Sequence, residues 1–398
     1  MTVASSPSSS STQPVRERPK LMAVYGTRPE AIKMAPLIAG LQASDDFELI
    51  VAVTAQHREM LDQVNEHFGI HPDVDLNLMT PGQNLNTIMS RVIAGLDETF
   101  ATHEPDAVIV QGDTTTVTAA AIAAFNRGIQ VVHLEAGLRS GDLLSPFPEE
   151  ANRKLVSQIA QLHLAPTSES RDNLLHDGVA AENIAVTGNT VIDALQWTIA
   201  QPAAPLDDEA LQSVLDAQQP IVLLTTHRRE NLGSAMQHIG AALARLARSY
   251  PAVQFVWPAH RNPRVRELVL PAIEGLPNVT VTEPLGYANF ARVLQASTVI
   301  LTDSGGVQEE APSLGRPVLV LRENTERPEA VTAGTVKLIG TEEDRIVSEV
   351  TTLLEDSVAY EQMANAVNPY GDGLATQRSI AALNALFGLG DRMPDFGE

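Results

Sequence analysis

The sequence predicts an α/β fold with two doubly wound parallel sheets, one in each half of the chain. Two observations support this prediction. Short apolar runs rich in Val and Ile alternate with longer helical patterns from Leu21 onward, which is typical of repeated βαβ units. The length of 398 residues is sufficient for two or three domains, and a hydrophobic content of 44% allows each domain a large buried core.

The apolar runs indicate buried parallel strands, because a strand covered on both faces needs no alternation of polar and apolar residues. In the first half they lie at 21–26, 48–54, 107–112, 130–136, 162–167 and 183–188. In the second half they lie at 221–227, 253–259, 278–283, 298–303, 317–322 and 335–340. This arrangement predicts one Rossmann-like sheet in each half.

Four segments follow from this alternation. The Ser-rich residues 1–20 lack the apolar stretch of a signal peptide, and we expect a disordered tail there. Residues 21–189 would form an N-terminal Rossmann-like domain and residues 190–370 a C-terminal one. A last segment, 371–398, would contain a helix that packs back onto the N-terminal domain.

Polar side chains follow almost every predicted strand. In open parallel sheets, ligands bind beyond the carboxyl ends of the strands, so two such edges facing each other would form a deep cleft. The segment GTRPEAIKMAPL places Arg28 in the first turn and Lys33 on the helix that follows. An Arg in this place suits bidentate contact with a diphosphate. The segment THRREN (226–231) adds His227 and Arg228 at the first strand end of the second half.

The segment TDSGGVQEE (302–310) joins a strand end, a pair of glycines and a helix start. Gly305 and Gly306 would let the backbone approach a ligand closely, and free N–H groups at the helix start favour a phosphate. Glu310 lies about one turn further, where a carboxylate could accept hydrogen bonds from ribose hydroxyls. An ordinary turn with an Asp or Ser cap is the alternative explanation.

Three acidic clusters follow buried strands or begin a helix. Asp113 and Glu135 come directly after predicted strands, and Glu149 begins the helix of SPFPEEANRKL, with Arg153 one turn further. Partly buried, paired carboxylates are what acid–base catalysis requires. Carboxylates at helix starts are also often simple partners of the helix dipole, so position alone does not decide their role.

Composition excludes several classes of protein. The net charge of −22 argues against binding to nucleic acid or an anionic membrane, and no apolar run approaches the length of a membrane span. Cysteine is absent, which removes disulfides, Cys metal sites and Cys nucleophiles. Neither G-x-G-x-x-G nor G-x-x-x-x-G-K-[ST] occurs, and no metal-ligand spacing is present beyond a D-x-D pattern at Asp73 and Asp75 in a connecting segment. We expect no nicotinamide cofactor and no catalytic metal.

These motifs together resemble the non-hydrolysing UDP-N-acetylglucosamine (UDP-GlcNAc) 2-epimerases, from about Met22 to Arg378. The resemblance rests on GTRPEAIKMAPL, TAQHREMLDQV, QGDTTTV, HLEAGLRSGD, SPFPEEANRKL, VTGNTVIDAL, THRREN, TDSGGVQEEAPSLGRPVLVLRENTERPE and NPYGDG. It implies the two-domain GT-B-type fold of many sugar-nucleotide glycosyltransferases, with UDP bound by the C-terminal domain. It also implies a cytoplasmic homodimer without a cofactor, which interconverts UDP-GlcNAc and UDP-N-acetylmannosamine (UDP-ManNAc) for cell-envelope polysaccharides.

The resemblance further implies a role for each matching residue. The catalytic group would comprise three carboxylates and a histidine near the leaving diphosphate: Asp113, Glu135, Glu149 and His227. The substrate-binding residues would include Phe290 against the uracil and Glu310 at the ribose: Arg28, Lys33, Phe290, Ser304, Gly305, Gly306, Glu310 and Arg327. A second UDP-GlcNAc, acting as an allosteric activator, would contact Gln56, His57 and Arg228.

The residues suit one chemical route to a C2 epimer. The C2 hydrogen is not next to a carbonyl, so simple deprotonation is too costly. Elimination of UDP across C1–C2, giving a 2-acetamidoglucal to which UDP adds back, needs a cationic cradle and carboxylates near both faces of the ring. Three alternatives stay open: a hydrolysing 2-epimerase that releases ManNAc and UDP, a retaining GT-B glycosyltransferase, and a sugar-nucleotide sensor without activity.

Overall fold

The computed structural model describes residues 18–54, 58–78, 80, 82–202, 206, 208–228 and 231–398. Most of the predicted N-terminal tail lies outside the described residues. Two parallel β-sheets with helices between their strands form two α/β domains. The predicted fold class is therefore confirmed.

The first sheet has seven parallel strands in the order β3-β2-β1-β4-β5-β6-β7. Its strands are β1 (Lys20–Tyr25), β2 (Glu48–Val53), β3 (Val74–Asp75), β4 (Ala107–Gln111), β5 (Gln130–Leu134), β6 (Leu162–Ala165) and β7 (Ile184–Val186). The helices that follow them are α1 (Arg28–Ala43), α2 (Arg58–Phe68), α3 (Leu85–His103), α4 (Thr115–Asn126), α5 (Glu149–Ile159), α6 (Ser168–His176) and α7 (Thr190–Ala200).

The second sheet has six parallel strands in the order β10-β9-β8-β11-β12-β13. Its strands are β8 (Ile221–Thr225), β9 (Gln254–Pro258), β10 (Val279–Thr282), β11 (Val299–Thr302), β12 (Val318–Val320) and β13 (Val336–Leu338). The remaining helices are α8 (Glu209–Asp216), α9 (Ser234–Ser249), α10 (Pro263–Ile273), α11 (Tyr287–Ala296), α12 (Gly305–Glu310), α13 (Pro328–Ala333), α14 (Glu343–Glu355), α15 (Ser357–Ala364) and α16 (Ala375–Leu386).

The strand order places the switch in winding direction between β1 and β4 in the first sheet and between β8 and β11 in the second. Helices leave opposite faces of the sheet on the two sides of this point, so a crevice opens at the carboxyl ends of the central strands. The turns after these strands begin at Gly26, Gly112, Thr226 and Asp303. They carry Asp113, His227, Arg228 and Ser304, and two of them lead directly into the helices that begin at Arg28 and Gly305.

The C-terminal helix α16 belongs to the core of the first domain. Ala382 and Leu383 are buried in the same apolar cluster as Leu21 and Leu37. At Gly40 of α1 an added Cβ would lie 2.7 Å from Ile380, which shows how closely the two helices approach. The chain therefore crosses to the second domain after β7 and returns to the first at its end.

The strand β3 was not predicted, and its residues explain the D-x-D pattern. Asp73 accepts a hydrogen bond from the N–H of Val51 at 2.8 Å, and Asp75 pairs with Arg58 at 2.5 Å. Both carboxylates therefore secure the edge of the first sheet. In the described part of the chain, no helix is both long and apolar enough to cross a membrane.

Candidate active site

The turn after β1 brings the first basic side chain to the crevice. Thr27 caps α1, and the Glu30 carboxylate accepts hydrogen bonds from the N–H groups of Gly26 and Thr27 at 2.7 and 2.9 Å, which completes a capping box. The Thr114 hydroxyl donates to the other Glu30 oxygen at 2.5 Å. This contact ties the turn after β1 to the turn after β4. It fixes the start of α1, where Arg28 is exposed.

Glu135, which follows β5, is held by side chains from three other elements. Lys33 of α1 donates to its Oε1, Gln111 of β4 donates to its Oε2 at 2.5 Å, and Asn189 before α7 donates to Oε1 at 3.0 Å. Burial alone would raise the pKa of Glu135, but the adjacent Lys33 ammonium lowers it below its usual value. Glu135 is therefore an ionised, immobilised carboxylate at neutral pH.

The second domain contributes a matching ion pair to this cluster. Glu309 of α12 accepts a hydrogen bond from Arg327 Nε at 2.6 Å and one from Asn189 at 3.3 Å, and Lys33 Nζ lies 3.8 Å from it. Burial opposes the charge on Arg327, yet Glu309 raises its pKa. Two cations and two carboxylates thus balance one another where the domains meet. We call Lys33, Glu135, Asn189, Glu309 and Arg327 the interdomain network.

A second ion-paired group lies beside this network, at the start of α5. Arg153 contacts Asp113 at 2.5 Å and Glu150 at 3.2 Å, and Asn152 donates to the backbone carbonyl of Asp113 at 2.8 Å. Glu149 differs from its neighbours, because its Oε2 is buried and has no hydrogen-bond partner among the described residues. Such an oxygen is costly to leave unpaired, which indicates that a ligand or solvent completes it.

His227 is positioned by a buried carboxylate after β11. Its Nδ1 lies 3.0 Å from Asp303 Oδ1, and Asp303 also accepts hydrogen bonds from the N–H groups of His227 and Arg228. Burial raises the pKa of Asp303, but the His227 contacts lower it more. His227 is 43% exposed, so its ring is held at Nδ1 while Nε2 is accessible to a ligand.

The glycine pair after Asp303 lies under Arg327. A Cβ at Gly305 would be 2.4 Å from the Arg327 guanidinium, whereas a Cβ at Gly306 would meet no atom of the described residues within 4 Å beyond its own helix. The Ser304 side chain does not cap the helix that follows. The backbone at Gly306 is therefore open to a ligand, and Gly305 allows Arg327 to approach it.

Glu310 is only partly ionised at neutral pH in this environment. Burial and the adjacent Glu309 raise its pKa to about 7, although Tyr287 donates a hydrogen bond to it at 3.2 Å. Phe290 lies one turn after Tyr287 on α11 and packs against the apolar core of the second domain. Tyr287, which donates to Glu310, therefore lies on the same helix, α11, as Phe290.

The structure brings most of the sequence-predicted residues together. Lys33, Glu135 and Arg327 belong to one network, and a Cβ at Gly112, the residue before Asp113, would lie 3.7 Å from Glu135 Oε2. His227 and its neighbour Arg228 reach the network less directly. Arg228 lies 3.7 Å from Glu326, which is 3.8 Å from Arg327.

Two of the three predicted activator contacts, Gln56 and His57, lie outside the described residues. The third, Arg228, borders a cavity of about 560 Å³ between the domains. Its other lining residues include Arg139 and Glu169 from the first domain and Arg322 from the second. The cavity adjoins the proposed catalytic carboxylates but does not include them.

Sequence reasoning missed three residues that organise the site. Glu309 precedes Glu310, and only the second of the two was assigned a role. Asn189 and Gln111 are neutral amides in turns or strand ends, and nothing in their local sequence shows that they donate to Glu135. Their partners are distant in the chain, so only the fold reveals them.

The geometry supports a definite kind of chemistry. Arg327 lies against Gly305, and the charge of Arg28 acts on Glu310 of the same helix, so positive charge is available to an anionic group despite the net charge of −22. The carboxylates of Glu135 and Glu149 lie on the adjacent edge of the first sheet, where they could accept or deliver a proton. Such a site can hold a departing anion while moving a proton on the same substrate.

Comparison with known proteins adds the following matches. Residues 39–384 match the family model described as UDP-N-acetylglucosamine 2-epimerase. The chain is 52% identical to the UDP-N-acetylglucosamine 2-epimerase of Escherichia coli K12 over 371 residues, covering 92% of this chain and 98% of that one. The enzyme of the same name from Salmonella typhimurium is 52% identical over 373 residues, with the same coverage. The solved UDP-GlcNAc 2-epimerase of Neisseria meningitidis, bound to UDP-GlcNAc, is similar with a TM-score of 0.83 and 47% identity, covering 92% of this chain and 100% of that one.

Proposed function

The chain belongs to the UDP-N-acetylglucosamine 2-epimerase family, and on that premise we propose that it inverts C2 of the sugar to interconvert UDP-GlcNAc and UDP-ManNAc. We propose the non-hydrolysing form of the reaction, in which the sugar stays bound to the nucleotide in both substrate and product. The route is elimination of UDP to a 2-acetamidoglucal, followed by re-addition.

One observation supports this proposal above all others. The interdomain network joins Glu135, a carboxylate of the proposed acid–base group, to Arg327, a cation of the proposed diphosphate cradle, through Glu309 and Lys33. Elimination requires both functions at one substrate, because the C2 proton and the C1 diphosphate leave together. A site that only bound a sugar nucleotide would not need ionised carboxylates beside the cradle.

The proton transfers fall to the carboxylates of the first domain. A carboxylate takes the C2 proton as the C1–O bond breaks and its electron pair leaves with UDP, which gives the C1–C2 double bond. A second carboxyl group, in its protonated form, then delivers a proton to the opposite face of C2 as UDP forms the C1–O bond again, and exchange with solvent restores both groups. Glu135 is ionised and can accept a proton, while Asp113 and Glu149 complete the group.

The nucleotide is held mainly by the second domain. Arg28 and Arg327 neutralise the diphosphate, and the open backbone at Gly306 allows its oxygens to approach N–H groups. Glu310 accepts hydrogen bonds from the ribose, and Phe290 contacts the uracil. His227, oriented at Nδ1 by Asp303, donates from Nε2 to the leaving diphosphate when its ring carries both protons.

Proton NMR of the enzyme with UDP-GlcNAc in D2O tests the proposal. We expect UDP-ManNAc signals to appear, the C2 proton of both sugars to be replaced by deuterium, and no free ManNAc to accumulate. We also expect the reaction to continue after treatment with EDTA and removal of bound nucleotides. Activity that returned only with a divalent ion or NAD would contradict the cofactor-free route.

The same spectra separate the alternatives. Free ManNAc with UDP would identify a hydrolysing epimerase. A glycosyltransferase given UDP-GlcNAc alone would form no sugar isomer, and a sensor would leave the substrate unchanged without C2 exchange. The identity of 52% to enzymes named as 2-epimerases over nearly the whole chain favours the first proposal.

Four further expectations rest on the family resemblance and are part of the same proposal. The protein would be a homodimer, would be located in the cytoplasm and would serve envelope polysaccharide synthesis. It would also have an activator site for UDP-GlcNAc, formed by Gln56, His57 and Arg228. An activator that contacted both domains would favour their closed arrangement. The reverse reaction from pure UDP-ManNAc would then be slow until traces of UDP-GlcNAc were added. A reverse reaction without this lag would contradict the activator site.

A further inference from the structure

Asn189 occupies a place in the site that the proposed function does not yet use. It follows β7, is 3% exposed, and all its polar groups have partners. Its backbone N–H donates to the carbonyl of Tyr370 at 2.7 Å, and its carbonyl accepts from Ile192 at 3.1 Å. Its side-chain oxygen caps α7 by accepting from the N–H of Val191 at 3.1 Å.

The remaining group, the side-chain NH2, donates to two carboxylates from different domains. Nδ2 lies 3.0 Å from Glu135 Oε1 in the first domain and 3.3 Å from Glu309 Oε2 in the second. The orientation of the amide follows from its partners, because the oxygen must face an N–H and the nitrogen must face two anions. Both donor hydrogens are thus used, one for each domain.

We propose that Asn189 is a positioning residue for the epimerisation, which holds the Glu135 carboxylate in register with the Glu309–Arg327 pair of the diphosphate cradle. This inference rests on the proposed function. The Glu135 oxygen that Asn189 contacts also receives Lys33, while Gln111 holds the other oxygen. Loss of the amide would leave Glu135 tied to its own domain only by these two donors.

The choice of an amide rather than a charged donor has a physical reason. The charged groups facing Nδ2 are Glu135 after β5, Lys33 of α1, and Glu309 and Arg327 of the second domain, and their charges already balance. A further cation or anion would upset that balance in a buried setting. A neutral donor adds two hydrogen bonds without changing the net charge.

Asn189→Asp isolates this role, because Asp is as good a helix cap as Asn but replaces the donor by an anion. We expect kcat for UDP-GlcNAc epimerisation to fall at least tenfold, with a smaller change in KM. We expect the acid limb of the kcat–pH profile to move up by about one unit, since the added charge disfavours ionisation of Glu135. Asn189→Ser keeps a helix cap but adds no charge. We therefore expect kcat to fall, while the acid limb of the kcat–pH profile moves less than in Asn189→Asp.

Asn84→Asp is the matched control. Asn84 caps α3 by accepting from the N–H of Thr87 at 2.9 Å, but it is exposed and contacts neither catalytic carboxylates nor the cradle. Its kcat and pH profile should equal those of the wild type. Circular dichroism establishes that each variant is folded. If Asn189→Asp does not fold, the kcat of Asn189→Ser tests the positioning role.

Carboxyl 13C NMR of Glu-labelled protein provides a readout that needs no turnover. The Glu135 signal is identified by its loss in Glu135→Gln, and its titration midpoint should rise in Asn189→Asp. Wild-type protein that does not epimerise would overturn the proposed function, while this titration would still test Asn189. Folded variants with unchanged kcat, or a fall in kcat of Asn189→Asp without any shift of the acid limb and of the Glu135 midpoint, would overturn the positioning role.

Discussion

Glu135 combines backbone strain with a fully constrained side chain. Its φ of 64° lies in the left-handed region, which costs a non-glycine residue about 1–2 kcal/mol. Three donors then fix the carboxylate that this backbone conformation directs into the interdomain network. Strain of this kind persists only where the surroundings determine it, and it is often found at catalytic residues.

The carboxylates of the first domain should each be required for turnover. We expect Asp113→Asn, Glu135→Gln and Glu149→Gln to reduce kcat roughly a hundredfold or more, because each removes a carboxyl group from the proposed acid–base group. Initial rates of UDP-ManNAc formation measure the effect. Asp97→Asn is the control for loss of an Asp–Arg pair, since Asp97 pairs with Arg127 on the surface at 2.5 Å. Near-normal rates in all three variants would contradict the assignment.

Gly306 offers a direct test of the diphosphate cradle. Outside its own helix, no described residue has an atom within 4 Å of a Cβ at this position, so Gly306→Val should fold but fill the space that the phosphates need. We expect its affinity for UDP, measured by calorimetry, to fall at least tenfold, about 1.4 kcal/mol. Gly305→Val would also displace Arg327 and is less informative. Gly390→Val, in the C-terminal segment, should bind UDP normally. Unchanged affinity in folded Gly306→Val would remove the glycine pair from the site.

At the scale of secondary-structure elements, the turns after the strands perform two tasks at once. The turn after β1 caps α1 through Glu30, and the same carboxylate accepts from Thr114 after β4. The turn after β5 carries Glu135 and then passes against α6 at Gly137. The contacts that fix the start of α1 and the turn of Glu135 thus also hold neighbouring elements of the first domain together.

Gly137 tests how far the turn after β5 depends on close packing. Its φ is 95°, and an added Cβ would lie 2.2 Å from the carbonyl oxygen of Ser170 in α6. Gly128 has a φ of 70°, and a Cβ there would have no neighbour within 4 Å in the described part of the chain, so it shares the backbone conformation without the contact. We expect Gly137→Ala to reduce the free energy of unfolding by about 3 kcal/mol more than Gly128→Ala, as measured by urea denaturation. Equal decreases in the free energy of unfolding would show that α6 can move away from the added methyl group at little cost.

At the scale of the whole molecule, two buried histidines link the stability of the first domain to pH. His133 of β5 and His163 of β6 are paired across the sheet, with His133 Nε2 donating to the carbonyl of Gly112 at 2.7 Å. Burial lowers the pKa of His133 to about 4 and that of His163 to about 3. In the folded protein both rings therefore stay neutral at pH values at which they are protonated in the unfolded chain.

The sign of the resulting pH dependence follows from linkage. Between pH 6.5 and about 4, His133 binds more protons in the unfolded chain than in the folded protein. The free energy of unfolding therefore decreases as the pH falls through that window. The loss amounts to about 3 kcal/mol for His133. His133→Gln retains a donor for Gly112 but does not titrate, so its free energy of unfolding should fall less between pH 7 and 4. Parallel curves for wild type and variant would contradict this account.

The architecture, and the sheet edge at which most of the proposed site residues lie, can be predicted from the amino-acid sequence alone. Val- and Ile-rich runs encode buried strands locally, and the strand ends of a parallel sheet must share one edge, so the order of residues is enough to assign Asp113, Glu135 and Gly306 to a ligand-binding edge. Which side chains contact one another in the site could not be predicted from the sequence and is seen only in the folded protein. Asn189 contacts carboxylates 54 and 120 residues away, and its local sequence predicts no more than a helix cap. The physical reason is that periodicity reports burial, whereas a hydrogen-bond partner depends on the distance between chain segments that only the folded protein brings together.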